Sequence, residues 1–216
     1  MLKTENWRHQ ATAFLARCRA QMWGRHKERP LEWLFRAGFS VSFAQDHFLG
    51  WNFRSMYRNA ALWLGPERED EKYFLPEGLL LPWIQNEILL RLSILDPEGH
   101  IHILEGSSTE AITAGEGLRL IITINDGDAF RLMQENEKGT AIMAAPFLFS
   151  TRLPDLDAFG RIRLIAPPVP ETMQLLENLR KEGRMAEVFH IPEKGLVAGL
   201  LCSDLSPADI TAMARF

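Results

Sequence analysis

The sequence predicts an α/β protein, α+β overall, with a mixed helical and antiparallel-sheet subdomain over residues 1–110 and a parallel α/β subdomain over 111–216. Three observations carry this. Apolar residues recur at helical spacing through the first fifty positions. Short apolar runs broken by turn residues fill the next fifty, and beyond Ser107 strand-like and helix-like segments alternate.

In the first part, Trp7, Ala11, Phe14, Leu15, Cys18, Met22 and Trp23 recur at three- and four-residue steps between Thr4 and Lys27, one apolar stripe on a helix with a basic back. Pro30 precedes a short helix, Leu31 to Ala37. Gly38 suits its C′ position, and Ser40 suits the cap of a third helix running to Phe48. After Gly50 the runs Ala60 to Leu64, Gly78 to Ile84, Glu87 to Leu95 and His100 to Leu104 read as a small antiparallel or mixed sheet. The Asp96-Pro97-Glu98-Gly99 turn makes a hairpin of the last two. Beyond Ser107 the strands are expected near 118–125, 140–145, 161–166 and 185–191, with helices near 127–137, 170–182 and 206–216. Pro170 and Gly183 bracket the middle helix in the usual Pro-first, Gly-last order. Such alternation argues for a parallel sheet with helices on its faces.

At 216 residues and 46% hydrophobic content the chain is long enough to bury a sizeable core. It has no apolar run of membrane-spanning length, and its polar first ten residues do not read as a secretory signal, so the expectation is a cytoplasmic protein with no membrane partner. Cys18 and Cys202 are too few for a disulfide framework or a four-ligand zinc site, and read as buried fillers. The net charge of −4 is unevenly spread: residues 1–60 hold ten Lys/Arg against four Asp/Glu, and the rest hold fourteen against twenty-four. A basic N-terminal third on an acidic body permits a polyanionic partner. The candidate phosphate contacts are Arg25, Lys27, Arg29, Arg36, Arg54 and Arg58, and Trp23, Trp33, Trp51, Trp63 and Trp83 are candidates to stack bases; equally, these cations are the solvated side of helices and the tryptophans their core.

In an open parallel sheet ligands bind beyond the carboxyl ends of the strands. The residues placed there are Asn125, Asp126 and Asp128 after the first strand and Ala166, Pro167 and Pro168 after the third. Divalent-metal phosphoryl transfer requires several carboxylates converging on hard cations. One strand end supplies two acids, the other none. Asp126 and Asp128 are candidate catalytic acids, and equally candidate caps of the helix that follows. Asp155 and Asp157 form an acid pair at the wrong end of the third strand. His100 and His102 share a strand face near Glu105 and read as an exposed hairpin without a placed third ligand, while Glu105-Gly106-Ser107-Ser108 reads as a flexible polar turn.

Over nearly its whole length the chain resembles the RNA-polymerase core of bacterial and phage DnaG-type primases. The likeness is carried by LEWLFRAGFSVSFAQDHFLGWN, by LPEGLLLPWIQNEILLRLSILDPEGHIHILEGSS, and by a final part that looks like a Toprim domain, the metal-binding module shared by primases and topoisomerases. The resemblance implies DNA replication in the setting of a mobile element, with Mg²⁺ or Mn²⁺ as cofactor only if the family's catalysis survives. It also implies departures. Matching Asp128 to the first Toprim aspartate puts Ile124 and Asn125 on the family's Glu-Gly. The D-x-D falls on Ala166-Pro167-Pro168, and the later Lys-Asp falls near Lys194-Gly195. The zinc-binding and helicase-binding modules of the family are expected to be missing here or supplied in trans. The leading expectation is therefore a primase-core-like protein without metal, zinc or nucleotidyl transfer, keeping a role with single-stranded DNA or RNA or with replication proteins. Two alternatives stand beside it: an active nucleotidyltransferase using displaced acids such as Asp126, Asp128 and Glu171, and a scaffold that docks protein without nucleic acid.

Overall fold

The computed structural model describes residues 2–135, 138–148 and 153–190. The chain divides into two compact units, Met1–Ser108 and Thr109–Phe216.

In the first unit, helix α1 (Leu2–Met22) buries Trp7, Ala11, Phe14, Leu15, Cys18 and Met22, the stripe that the spacing predicts. It stops five residues short of Lys27, so Trp23, expected on that stripe, lies beyond the helix end and is only half-buried. Helices α2 (Glu28–Arg36) and α3 (Val41–Asp46) follow. Gly38 takes a φ of 79° after α2, and the Ser40 hydroxyl accepts from the Phe43 N–H, 3.2 Å, to cap α3. Then come β1 (Gly50–Asn52), β2 (Met56–Asn59), α4 (Ala61–Leu64), a 3₁₀ turn (Pro66–Arg68), β3 (Lys72–Leu75), β4 (Gly78–Gln85), β5 (Ile88–Leu95) and β6 (Ile101–Ile103). The run Ala60 to Leu64, read as a strand, is a helix. A five-residue apolar run has no periodicity to separate the two, and the Asn59 carboxamide, accepting from the Ala61 N–H at 2.8 Å, starts the helical turn.

The main sheet has order β1-β4-β5-β6, antiparallel throughout, and β2 pairs with β3 as a separate ribbon. The core joins α1 and α4 to the sheet through Phe14, Trp63, Tyr73, Leu80, Leu92 and Ile94. Burial pushes the Cys18 thiol up to about 12, as befits a filler in this core. Cys202 lies outside the described residues.

The segment Glu105 to Ser108, expected to be flexible, is welded down. Ser107 accepts from the Leu92 N–H through its hydroxyl, 3.1 Å, the Ser108 N–H donates to the Leu90 carbonyl, 2.8 Å, and the Tyr73 hydroxyl donates to the Glu105 carbonyl, 2.6 Å. Gly106 sits in the middle at φ 92°, where an added Cβ would stand 2.3 Å from Cδ1 of the buried Trp7.

The second unit holds β7 (Ile112–Ala114), β8 (Gly117–Thr123), α5 (Asp126–Glu135), β9 (Gly139–Ala144), β10 (Arg161–Ala166), α6 (Pro170–Lys181) and β11 (Met185–His190). The expected helix near 206–216 lies outside the described residues. Sheet order is β11-β10-β8-β9-β7. The first four strands are parallel, as the alternation predicts. The edge strand β7 is antiparallel to β9 and corrects the wholly parallel expectation; three residues beside a glycine-bracketed turn carry too little pattern to be seen. Helix α6 lays Leu176 and Leu179 on the face bearing Leu120, Ile122, Ile162 and Leu164. Its end is a left-handed Gly183, φ 81°, with the Arg184 N–H returning to the Leu179 carbonyl at 3.1 Å.

Gly106→Ala is expected to destabilise the protein by about 2–4 kcal/mol, from backbone strain plus displacement of the Trp7 ring. Urea unfolding followed by tryptophan fluorescence measures this; a change within error would show that the turn adapts.

Candidate functional site

The parallel register sets Ile165 of β10 against Thr123 of β8, so the two strands end side by side. The turns leaving these two strands therefore lie side by side at the carboxyl end of the sheet. After β8 the chain turns through Ile124 and Asn125 into α5; after β10 it passes through Pro167 and Pro168 into α6.

Asn125 does the capping. Its carboxamide oxygen accepts from the Asp128 N–H, 2.7 Å, its amide nitrogen donates to Asp128 Oδ2, and its backbone carbonyl accepts from the Ala129 N–H at 3.4 Å. The Thr123 hydroxyl anchors the turn by donating to the Asn125 carbonyl, 2.9 Å. Asp126 and Asp128 are both buried, at 0% and 1% exposure. Residues two apart on a helix point to different sides, so the pair is not built as a two-carboxylate clamp. Asp128 Oδ1 has no hydrogen-bond partner. Burial pushes the Asp128 carboxyl up to about 8, against the opposing pull of the Asn125 hydrogen bond.

Across from it, Ala166 and Pro167 are buried and Pro168 is exposed. None carries a side-chain ligand atom. The end of β9, Ala144-Ala145-Pro146, adds none either. Glu171 is exposed in the first turn of α6. Among the described residues, the one group of three His, Cys, Asp or Glu side chains close enough to share an ion lies elsewhere, at Asp96, His100 and His102. A hard divalent cation at the strand ends would need several converging oxygens, and the donors present there do not fit one. Lys194 and Gly195 lie outside the described residues.

Asp155 and Asp157 sit at the amino end of β10, lining a groove of about 1120 Å³ with Glu110, Leu175, Asn178 and Arg184. Asp155 accepts from the Asp157 N–H, 2.9 Å, and Asp157 pairs with Arg184, 2.5 Å. Turn closure and an ion pair account for both acids.

The basic candidates all fall in the first unit. Arg25 and Lys27 are exposed on the connection from α1 to α2. Arg29 is paired with Glu77, whose backbone N–H donates to the Ser55 hydroxyl at 3.0 Å, so the start of α2 adjoins the loop carrying Arg54. Arg36 lies over the Trp33 ring, 4.7 Å from its centroid, and Trp33 stacks on the buried Trp51 at 6.2 Å. Arg58 is exposed on β2. Next to it, Tyr57 and Phe74 face each other across the β2–β3 ribbon, centroids 5.1 Å apart and 63% and 42% exposed, with Lys72 over the tyrosine ring. This aromatic pair was not singled out by the sequence. The signal is alternation in Lys72-Tyr73-Phe74-Leu75, which turns Tyr73 and Leu75 into the core and Phe74 out. Trp51, Trp63 and Trp83, candidates for base stacking, are buried.

Several solved structures share this arrangement. The chain superposes on a DnaG catalytic core with a TM-score of 0.63 at 12% identity, covering 94% of this chain and 77% of that one. The fold is that of a DnaG-type primase catalytic core. A DnaG primase catalytic domain bound to single-stranded DNA gives a TM-score of 0.66 at 11% identity over 98% and 81% of the two chains. The RNA polymerase domain of Mycobacterium tuberculosis primase DnaG, in complex with double-stranded DNA, gives 0.61 at 9% over 97% and 80%. No family model matches the sequence, and no curated protein matches it. The likeness to DnaG cores is thus one of fold. No helix among the described residues is long and apolar enough to cross a membrane.

Asp128 makes pH a readout of the site. Its folded pKa lies above the unfolded value, so between about pH 4 and pH 8 the unfolded chain is ionised there while the folded chain keeps its proton. That group's contribution therefore falls as pH rises through this window and is level above it. Asp128→Asn removes the term: the variant is expected to gain stability relative to the parent between pH 5 and pH 8, by roughly a few kcal/mol at the upper end. Parallel pH dependences in urea unfolding would show that Asp128 is ionised in the fold.

Proposed function

We propose that this chain is a primase-core-like protein that has lost metal-dependent nucleotidyl transfer and keeps a nucleic-acid-binding, accessory role in DNA replication, in the cytoplasm and in the setting of a mobile element. The observation that carries this is the edge shared by β8 and β10, where a Toprim-type centre would require metal ligands and the side chains are a buried, Asn125-bound Asp128 and Ala166-Pro167-Pro168. A desolvated carboxyl at that position stabilises no cation until it ionises, and prolines offer none. Neither Mg²⁺ nor Mn²⁺ is then a cofactor, and no zinc is needed for the core.

The binding role rests on the first unit. Arg36 stacked on Trp33, and Arg58 and Lys72 beside the exposed Tyr57–Phe74 pair, combine cations for phosphates with ring faces for bases, the combination single-stranded nucleic acid uses. That two DnaG cores of the same fold are described as bound to DNA supports the choice of partner. Replication proteins are a further partner class within this reading.

Fluorescence anisotropy with a labelled single-stranded oligonucleotide is expected to show binding at low salt that falls by about 10³ or more between 50 and 200 mM if six phosphates are contacted. Arg36→Ala combined with Tyr57→Ala is expected to weaken it at least tenfold. No affinity at low salt would end the nucleic-acid part of the proposal.

One observation favours an active enzyme instead: the unpartnered buried Oδ1 of Asp128, a perturbed carboxyl at the right end of the sheet. Titration calorimetry with Mg²⁺ separates the readings. Silence is expected; millimolar or tighter binding lost in both Asp126→Ala and Asp128→Asn would restore the enzyme.

A further inference from the structure

The turn between β5 and β6 brings together three side chains that the function above does not use. Asp96 opens it: its N–H donates to the His100 carbonyl, 2.9 Å, and its carbonyl accepts from the Gly99 N–H, 3.0 Å. Its carboxylate is divided between two tasks. Oδ1 accepts from the N–H groups of Glu98, 3.0 Å, and His100, 2.8 Å, which fixes the plane of the group. Oδ2 is left pointing at the two imidazoles, 2.6 Å from His102 Nε2 and 3.3 Å from His100 Nδ1.

His100 and His102 reach the same side because side chains two apart on extended chain share a face. Their rings are steeply inclined, 73°, with centroids 6.4 Å apart, so two different ring nitrogens converge from different directions. All three ligand atoms lie within 4.8 Å of one another. Zinc–nitrogen and zinc–oxygen bonds near 2.0–2.1 Å place tetrahedral ligands ~3.3 Å apart, so an ion would enter by moving Asp96 Oδ2 a fraction of an ångström from His102. Glu105, three residues beyond His102, is held by Arg68 at 2.6 Å and is not the third ligand.

We propose that Asp96, His100 and His102 bind one divalent transition-metal ion of the zinc class. Two neutral imidazoles and a carboxylate suit Zn²⁺, Co²⁺ or Ni²⁺ and disfavour Mg²⁺, which sets this site apart from the hard-cation chemistry expected at a primase centre. The two backbone N–H groups on Oδ1 orient the ligating carboxylate. The Asp96 side chain is 11% exposed, whereas His102 and His100 are 39% and 57% exposed. The ion is therefore reached from solvent, with a coordination position left outward for water or a donor from another molecule. It would staple the hairpin, tying the turn to the strand that follows it.

Calorimetry of the full chain, stripped with EDTA and exchanged into chelator-free buffer near pH 7.5, is expected to show one Zn²⁺ bound per chain, unaffected by excess Mg²⁺. One equivalent of Co²⁺ is expected to give visible absorption bands that Zn²⁺ abolishes. His100→Ala and His102→Ala should each weaken Zn²⁺ binding at least tenfold, and His26→Ala, on the exposed connection after α1, should not. No stoichiometric Zn²⁺ or Co²⁺ binding by the parent chain overturns the proposal whatever the variants do. So does binding that survives both variants, or that falls equally with His26→Ala.

Discussion

Parallel pairing of β8 with β10 is the constraint on which the second unit depends. It makes neighbours of two turns far apart in sequence. Each turn must start a helix at once, and each solves that differently: Asn125 supplies a side-chain cap, whereas Pro170 presets φ and removes an N–H that would lack a partner. Both solutions serve the fold. In the first turn, one Asp128 oxygen is held by the Asn125 amide while the other is buried without a hydrogen-bond partner.

The cost of that arrangement is visible in Asp128. A carboxyl buried to 1% exposure, with one oxygen bonded to Asn125 and the other unpartnered, is a source of instability at neutral pH that an asparagine would relieve. A protein under no demand to keep an acid there would be expected to lose it.

In the first unit, one buried side chain organises the face assigned to nucleic acid. The Asn52 carboxamide, 2% exposed, donates to the carbonyls of Arg54, 2.9 Å, and Pro76, 2.6 Å. It joins the loop carrying Arg54 to the connection between β3 and β4, where Glu77 holds Arg29. Cations from separate parts of the chain are thus set on one hydrogen-bonded support. At the same end of this sheet, where Gly78 pairs with Asn52 and packs against Asp96, the β5–β6 turn uses Asp96 in a comparable way: one oxygen builds the turn while the other serves the two histidines.

The sequence by itself determined the elements whose signal is periodic or chemical. The α1 stripe, the Ser40 cap, the Asp96–Gly99 hairpin and the strand–helix alternation after Ser107 were legible because a helix or strand must repeat its apolar residues at its own period, and caps and turns need particular side chains. That Ala166, Pro167 and Pro168 bring no side-chain ligand atom to the end of β10 was legible as well, since their side chains have none. Tertiary structure decided what depends on who stands opposite. Ala60 to Leu64 became a helix because Asn59 caps it; β7 exists because β9 has an open edge; Tyr57 and Phe74 face solvent because their strand neighbours fill the core. Most of all, His100 and His102 gained a third partner in Asp96 only when the turn folded back on itself. Spacing along a chain shows which side chains share a face, but convergence of ligand atoms is a property of backbone geometry, which closes in three dimensions.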